Sequence, residues 1–341
     1  MLISQQLRSH DLVRFRTSHF GLAAVAGLQM ELDAVSIAGL MLVRCNRAEW
    51  ETAERGYVFK DWHSSYYDAN PVFIYHPYEG PVPAPEVMPA LDSLGRDGTR
   101  LVTACRLFKQ GHLLDPQYTA RFLVSDGMRE RAVGPYRTEY LAMPIDGMTW
   151  PLEESEVDDL APIYRSLEVL GEAPGMESFS ALLDAFNLAH TRGVSTLFRL
   201  HVLFTVHEML FDGFASAAQL STNPYDRALA AVRLTAPELV DDELEALYTR
   251  RTRGLRNAIV HHEPAGAHVD VEFATSRLRY VASLGIRLLM RMHHLSADPR
   301  FTSVARSLGW RKLGARERLN ACLDRAVKGD VAPFEQVMSF Q

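Results

Sequence analysis

The sequence predicts an α+β protein: a β-rich N-terminal domain, an antiparallel sheet or sandwich, followed by an all-α helical bundle. Three observations carry this. Residues 1–150 contain short alternating or β-branched apolar runs punctuated by Gly, Asn and Pro. From Ser178 onward the apolar residues recur instead at i, i+3, i+4 and i+7. Between the two, residues 151–177 are acidic and close on Gly171 and Pro174-Gly175, the composition of a linker with a short helix. The expected organisation is therefore 1–150, 151–177 and 178–341, the last with extra helices at its C-terminal end.

Within the first part, Met30 to Ile37 alternates apolar and polar, the period of a half-buried strand. Tyr57-Val58-Phe59 and Val72-Phe73-Ile74-Tyr75 are short strand candidates, and Gly80 to Pro85 is a loop. Leu101 to Phe108 and Ala120 to Val124 read as two further strands joined by a turn containing Gly111 and Asp115-Pro116. The aromatics of Trp62 to Tyr67 fit the closed end of a β-layer better than a stacking loop.

In the second part, Ser178 caps a helix carrying Phe179, Leu182, Leu183 and Phe186. Ser195 opens a second, Thr196 to about Phe214, apolar nearly all round and so expected to be the most buried. Its polar members, Arg199, His201, His207 and Glu208, each require a reason. Residues 220–233 read as a loop and a short helix. Thr235-Ala236-Pro237-Glu238 has the form of a capping box for a third helix ending near His261, before Pro264 and Gly266. A fourth helix spans about Val271 to Leu295, and shorter ones lie around Val304 to Trp310 and Ala315 to Val327.

At 341 residues, with 47% hydrophobic and 23% charged residues, the chain has the composition of a soluble globular protein. Cys45, Cys105 and Cys322 form no C-x-x-C pair, which argues against a disulfide framework or a cysteine zinc site and fits a reducing cytoplasm. No signal peptide is indicated, and Glu31 and Asp33 interrupt the most apolar run, so no membrane association is expected. Charge is uneven: 16 basic against 25 acidic residues before Ser178, and 20 against 17 from there on. Of the 36 basic residues 32 are arginines, suited to bidentate phosphate contacts. A weakly basic half permits a nucleic-acid contact without demanding one.

The stretch Arg256-Asn257-Ala258-Ile259-Val260-His261 concentrates the chemistry. Arginine can hold a phosphate and histidine can move a proton near neutral pH, the two tools needed to cleave RNA without a metal. The spacing alone is weak, since this composition gives about one Arg-x4-His pair by chance, and Arg14/His19 is a second instance. Five residues turn a regular helix by about 500°, so the two side chains converge only if His261 lies in a loosened last turn. Glu208, on the buried second helix, would need a cation, and Arg256 is its natural partner.

With these neighbours, the stretch resembles the R-x4–6-H motif of HEPN domains. Leu203 to Leu210 with its embedded Glu208, and Tyr248-Thr249-Arg250-Arg251, resemble the Apea-like HEPN group over roughly residues 178–296. One departure is that His262-Glu263 stands where many members have glycine after the histidine. The resemblance implies a HEPN-like bundle and a metal-independent endoribonuclease, without cofactor, in antiphage defence or as a toxin. His261 would act on the ribose 2′-hydroxyl, Arg256 would hold the scissile phosphate and Asn257 would orient one of them, with Glu208 and His262 in support. Products would carry 2′,3′-cyclic phosphate and 5′-hydroxyl ends. It further implies a homodimer with a composite site, an RNA path along Arg250, Arg251 and Arg253, and an antitoxin or regulatory partner. The acidic N-terminal half is expected to hold the activity in check. The alternative is a catalytically inactive HEPN scaffold that binds RNA or a protein. His207-Glu208 lacks the second histidine of H-E-x-x-H, His293-His294 fits a solvent-facing pair at a helix end better than a metal site, and no phosphate-binding glycine loop is present.

Overall fold

The chain divides into two units, residues 1–169 with 191–193, and residues 170–190 with 194–341. The structure, a computed structural model, describes residues 19–25, 27–44, 72–109, 121–125, 150–172, 177–191, 194–212, 220–248 and 270–340. The architecture is α+β.

The first unit is built on strands β1 (His19–Ala24), β2 (Leu28–Met30), β3 (Ala34–Ile37), β4 (Leu40–Arg44) and β5 (Val72–Tyr78). Helix α1 (Val87–Phe108) follows, then β6 (Arg121–Ser125), β7 (Trp150–Leu152) and helix α2 (Val157–Glu172). Five strands form one antiparallel sheet in the order β3-β4-β5-β1-β6, with α1 packed on it. Ala38 and Gly39 both take positive φ (52° and 94°) between β3 and β4, as the tight hairpin requires of its two central residues.

Two expectations are corrected here. The alternating run Met30 to Ile37 is not one strand: a bend at residues 31–33 splits it into β2 and β3, and β2 pairs in parallel with β7. Leu101 to Phe108 is not a strand but the last turns of α1. Its β-branched residues misled, because the buried series Leu91, Leu94, Gly98, Leu101 and Cys105 continues a helical face begun fourteen residues earlier than Cys105. Thr99 and Thr103 bond the carbonyls of Gly95 and Thr99 at 3.0 and 2.7 Å, which accommodates them inside the helix. The expected strands at 57–59 and the aromatics at 62–67 lie outside the described residues.

The end of α1 is tied to the start of α2. The Lys109 ammonium lies 4.6 Å from the Trp150 ring centroid and 2.6 Å from Glu156 Oε1, while the Trp150 indole N–H donates to the Lys109 carbonyl at 3.2 Å. Arg100 then bridges from α1 to Glu168 at 3.2 Å and stacks over Tyr164, fixing α2 along α1.

The described part of the second unit is helical: α3 (Glu177–Leu188), α4 (Thr196–Phe211), α5 (Pro224–Thr235), the short α6 (Asp242–Ala246), α7 (Val271–Ser296), α8 (Pro299–Ser307), α9 (Ala315–Val327) and α10 (Ala332–Met338). Ser195 caps α4 by accepting from Phe198 N, and Asp270 caps α7 by accepting from Glu272 and Phe273 N. The expected capping box at Thr235 is not one. Thr235 ends α5, its hydroxyl donating to the Ala231 carbonyl, and the next helix is capped by Asp241, whose carboxylate accepts from Leu244 N at 2.7 Å. The region read as a loop and a short helix, 220–233, holds α5 after a short lead-in, and the helix is capped by Asn223 through Tyr225 N and Asp226 N.

Helix α4 is the centre of this unit, packed against α3, α5, α7 and α9. Its carbonyls at Met209, Leu210 and Phe211 accept from Arg316 Nη1 (3.2 Å), Asn320 Nδ2 (2.9 Å) and Arg227 Nε (2.7 Å). Buried Arg227 also faces Asp324 at 3.7 Å and donates to the Thr222 carbonyl. Asp324 in turn accepts from Ser221 and Thr222 backbone N–H groups and from Lys328. Burial alone would raise the Asp324 carboxyl, but the bonds from Lys328 and Thr222 outweigh it and hold it well below the usual carboxylate range.

Two substitutions test these packing arguments. A Cβ at Gly285 of α7 would stand 2.7 Å from Phe211 Cζ and 3.0 Å from Leu210 Cδ1, both on fully buried side chains. Gly285→Ala, normally helix-stabilising, is expected to destabilise by about 1–3 kcal/mol through overpacking, read from urea midpoints. Ala38→Asn, which relieves a left-handed alanine, is expected to stabilise by roughly 0.5–1 kcal/mol, read as a rise in Tm.

Candidate functional site

The residues of the Arg-x4-His stretch, Arg256, Asn257, His261 and His262, lie outside the described residues, as do Arg250, Arg251 and Arg253. What the structure shows is the helical frame before and after them: α4, the chain up to Tyr248, and the Asp270 cap that begins α7.

Glu208 was expected to be the buried polar group of α4. It is half-buried, and the fully buried one is its neighbour His207. A helix turns about 100° per residue, so only one of the pair can face the core. His207 does, continuing the side of Leu203 and Leu210, and its ring lies 5.9 Å from that of Phe211. Histidine satisfies both of its nitrogens there. Nδ1–H donates to the Leu203 carbonyl at 2.8 Å, which leaves Nε2 to accept the Tyr248 hydroxyl at 2.7 Å. That pairing was not foreseen, although an ionisable residue on an otherwise apolar helix calls for such a partner. Burial pushes His207 down to about 4 and Tyr248 well above its ordinary value. The pair is thus uncharged at neutral pH. It serves as a neutral hydrogen-bonded strut between α4 and the chain just ahead of residue 249, not as a proton shuttle.

Of the other polar residues on α4, His201 is exposed and Arg199 half-buried, with its Nε shielded from solvent. The first turn of α4 also exposes Leu197 and Phe198, so the helix is less completely enclosed than its composition predicts. His293 and His294 sit in the last turn of α7, half-buried and exposed respectively. Burial, then the neighbouring histidine, lowers His293. Among the described residues no group of three or more His, Cys, Asp or Glu is placed to hold a metal ion. Nor is any described helix long and apolar enough to cross a membrane. Cys105 and Cys322 are buried, and burial raises both thiols, so neither is an activated nucleophile.

No protein-family model, curated protein or solved structure matches this chain.

The buried histidine gives the unit a pH dependence of definite sign. Unfolded, His207 takes up its proton near pH 6.5; folded, only near pH 4. In that window the unfolded chain binds more protons, so stability is full above pH 6.5 and falls as pH drops, by up to about 1.4 kcal/mol per pH unit. Urea denaturation at pH 7, 6 and 5 is expected to show a shallower decline for His207→Gln, which keeps an acceptor for Tyr248 but does not titrate. Parallel declines would contradict the assignment.

Proposed function

We propose that the protein is a metal-independent endoribonuclease whose chemistry is carried by Arg256, Asn257 and His261. The observation that carries the proposal is the Arg256-Asn257-Ala258-Ile259-Val260-His261 sequence, with its resemblance to HEPN domains. Supporting it, the stretch lies in the sequence between described helices of the second unit, after a Tyr248 hydrogen-bonded to α4 and before the Asp270 cap of α7.

In this reaction the ribose 2′-oxygen attacks the adjacent phosphorus as His261 takes its proton. The P–O5′ bond breaks, the 5′-oxygen gains a proton, and a 2′,3′-cyclic phosphate and a 5′-hydroxyl result. Arg256 places two donors on the non-bridging oxygens, where charge accumulates in the transition state. Asn257 orients either the phosphate or the imidazole, and Glu208 and His262 support the pair. The site is composite, formed by two copies of the chain, and Arg250, Arg251 and Arg253 guide the RNA toward it. An antitoxin or regulatory partner restrains it, in a cytoplasmic defence or toxin role. The sequence Glu263 after His262 favours a second reading, a non-catalytic RNA- or protein-binding scaffold, because a carboxylate there repels phosphate.

Incubation of the full chain with total RNA in EDTA separates the two. Wild type is expected to release fragments with 5′-hydroxyl ends, and His261→Ala and Arg256→Ala to cut roughly 10²–10⁴-fold more slowly. Equal behaviour of all three proteins would overturn catalysis by these residues.

A further inference from the structure

We infer that the turn between α8 and α9, with Arg306, Arg311 and Lys312, is a second RNA-binding surface that grips the phosphodiester backbone without reading sequence. Only the choice of RNA as the occupant rests on the ribonuclease proposal. The surface itself rests on the residues below.

The turn is rigidly built. Gly309 ends α8 with a φ of 76°, and Leu308, Gly309 and Trp310 N–H groups return to the carbonyls of Val304, Arg306 and Ala305. Trp310 and Leu313 are buried beneath it. Arg318 of α9 ties it down: Nε donates to the Trp310 carbonyl at 3.3 Å, Nη1 to Ser296 Oγ at 2.9 Å, and the guanidinium lies over Phe301. Above this base, Arg306, Arg311 and Lys312 are exposed, and among the described residues none of the three has a side-chain hydrogen-bond or ion-pair partner.

The local balance of charge is strongly positive. Residues 298–318 hold six basic residues against two acidic ones, Asp298 and Glu317. Both acids are already engaged. Asp298 caps α8 and pairs with Arg300 at 2.7 Å, and Glu317 accepts the Gly314 N–H at 2.8 Å. Three free cations on a fixed turn attract a polyanion at little entropic cost.

The chemistry of the surface selects among polyanions. A membrane needs apolar side chains to insert beside the cations, and here Phe301, Trp310 and Leu313 all face inward. Stacking of unpaired bases on aromatic rings needs exposed aromatics, and Phe301 and Trp310 are buried. What remains are point and forked donors to phosphate, two arginines and a lysine, which suit a nucleic-acid backbone.

The test is fluorescence anisotropy with the full chain and a fluorescein-labelled 20-mer of 2′-O-methyluridine, which lacks the attacking hydroxyl and so is bound without being cut. Wild type is expected to bind with steep salt dependence. An Arg306→Gln/Arg311→Gln/Lys312→Gln variant should keep its Tm, bind at least 10-fold more weakly, and lose about 2 from the slope of log affinity against log salt, near 0.7 per phosphate contact. Arg311→Lys should retain most of the binding. Unchanged affinity and slope in the triple variant, or preferred binding of phosphatidylserine vesicles over the oligomer, would overturn the inference. The two proposals fail separately. Patch-dependent binding by a chain that never cuts natural RNA removes the nuclease alone, and cutting by a triple variant with intact oligomer binding removes the patch alone.

Discussion

The second unit depends on how the C-terminal end of α4 is satisfied. A helix leaves its last carbonyls without internal partners, and α4 ends in the interior, where a stranded carbonyl costs about 1–3 kcal/mol. Met209, Leu210 and Phe211 instead receive donors from Arg316 and Asn320 of α9 and Arg227 of α5. Two of these are cations, placed where the helix dipole is negative. Helices α4 and α5 and the sequence-distant α9 are thereby fixed to one another at a single point. Arg227 could not be buried there unpaired, and Asp324 faces it at 3.7 Å while holding Ser221 and Thr222 with its other bonds.

From that anchor the register of α4 follows. With Leu210 and Phe211 fixed against Gly285 of α7, His207 one turn earlier must face inward and Glu208 must turn outward. The inward imidazole then needs an acceptor and a donor, and finds them in the Leu203 carbonyl and the Tyr248 hydroxyl. A constraint at the end of one helix thus reaches Tyr248, eight residues ahead of Arg256 in the sequence.

Legibility of the fold in the sequence tracks how local each cause is. Helices α7 and α9 were readable because a periodic apolar face lies within each: Leu278, Val281, Leu284 and Leu288 in one, Leu319 and Leu323 in the other. The α+β division was readable for the same reason. Helix α1 was not, because Thr99, Thr103, Gly95 and Gly98 weaken its local preference, while its buried face packs on the sheet. Arg227, Asn320 and Arg316 carried no signal at all, since their acceptors are backbone carbonyls, two of them more than a hundred residues away. Of the candidate site, Glu208 was placed on the right helix but given the burial that belongs to His207.

The arginines show why composition says little about function here and what does. With 32 in the chain, arginine is an ordinary building material. Arg227 uses its donors on the Phe211 and Thr222 carbonyls and on carboxylates; Arg316 reaches a helix end; Arg318 pins a turn from beneath. A guanidinium whose forks are filled by internal acceptors has nothing left for a phosphate, whatever its net charge. Exposure without an internal acceptor is therefore the property that separates a ligand-facing arginine from a structural one. Among the described residues, Arg306 and Arg311 have it. Their turn is held in shape by an arginine that does not, so the structural cation and the ligand-facing ones are parts of the same device.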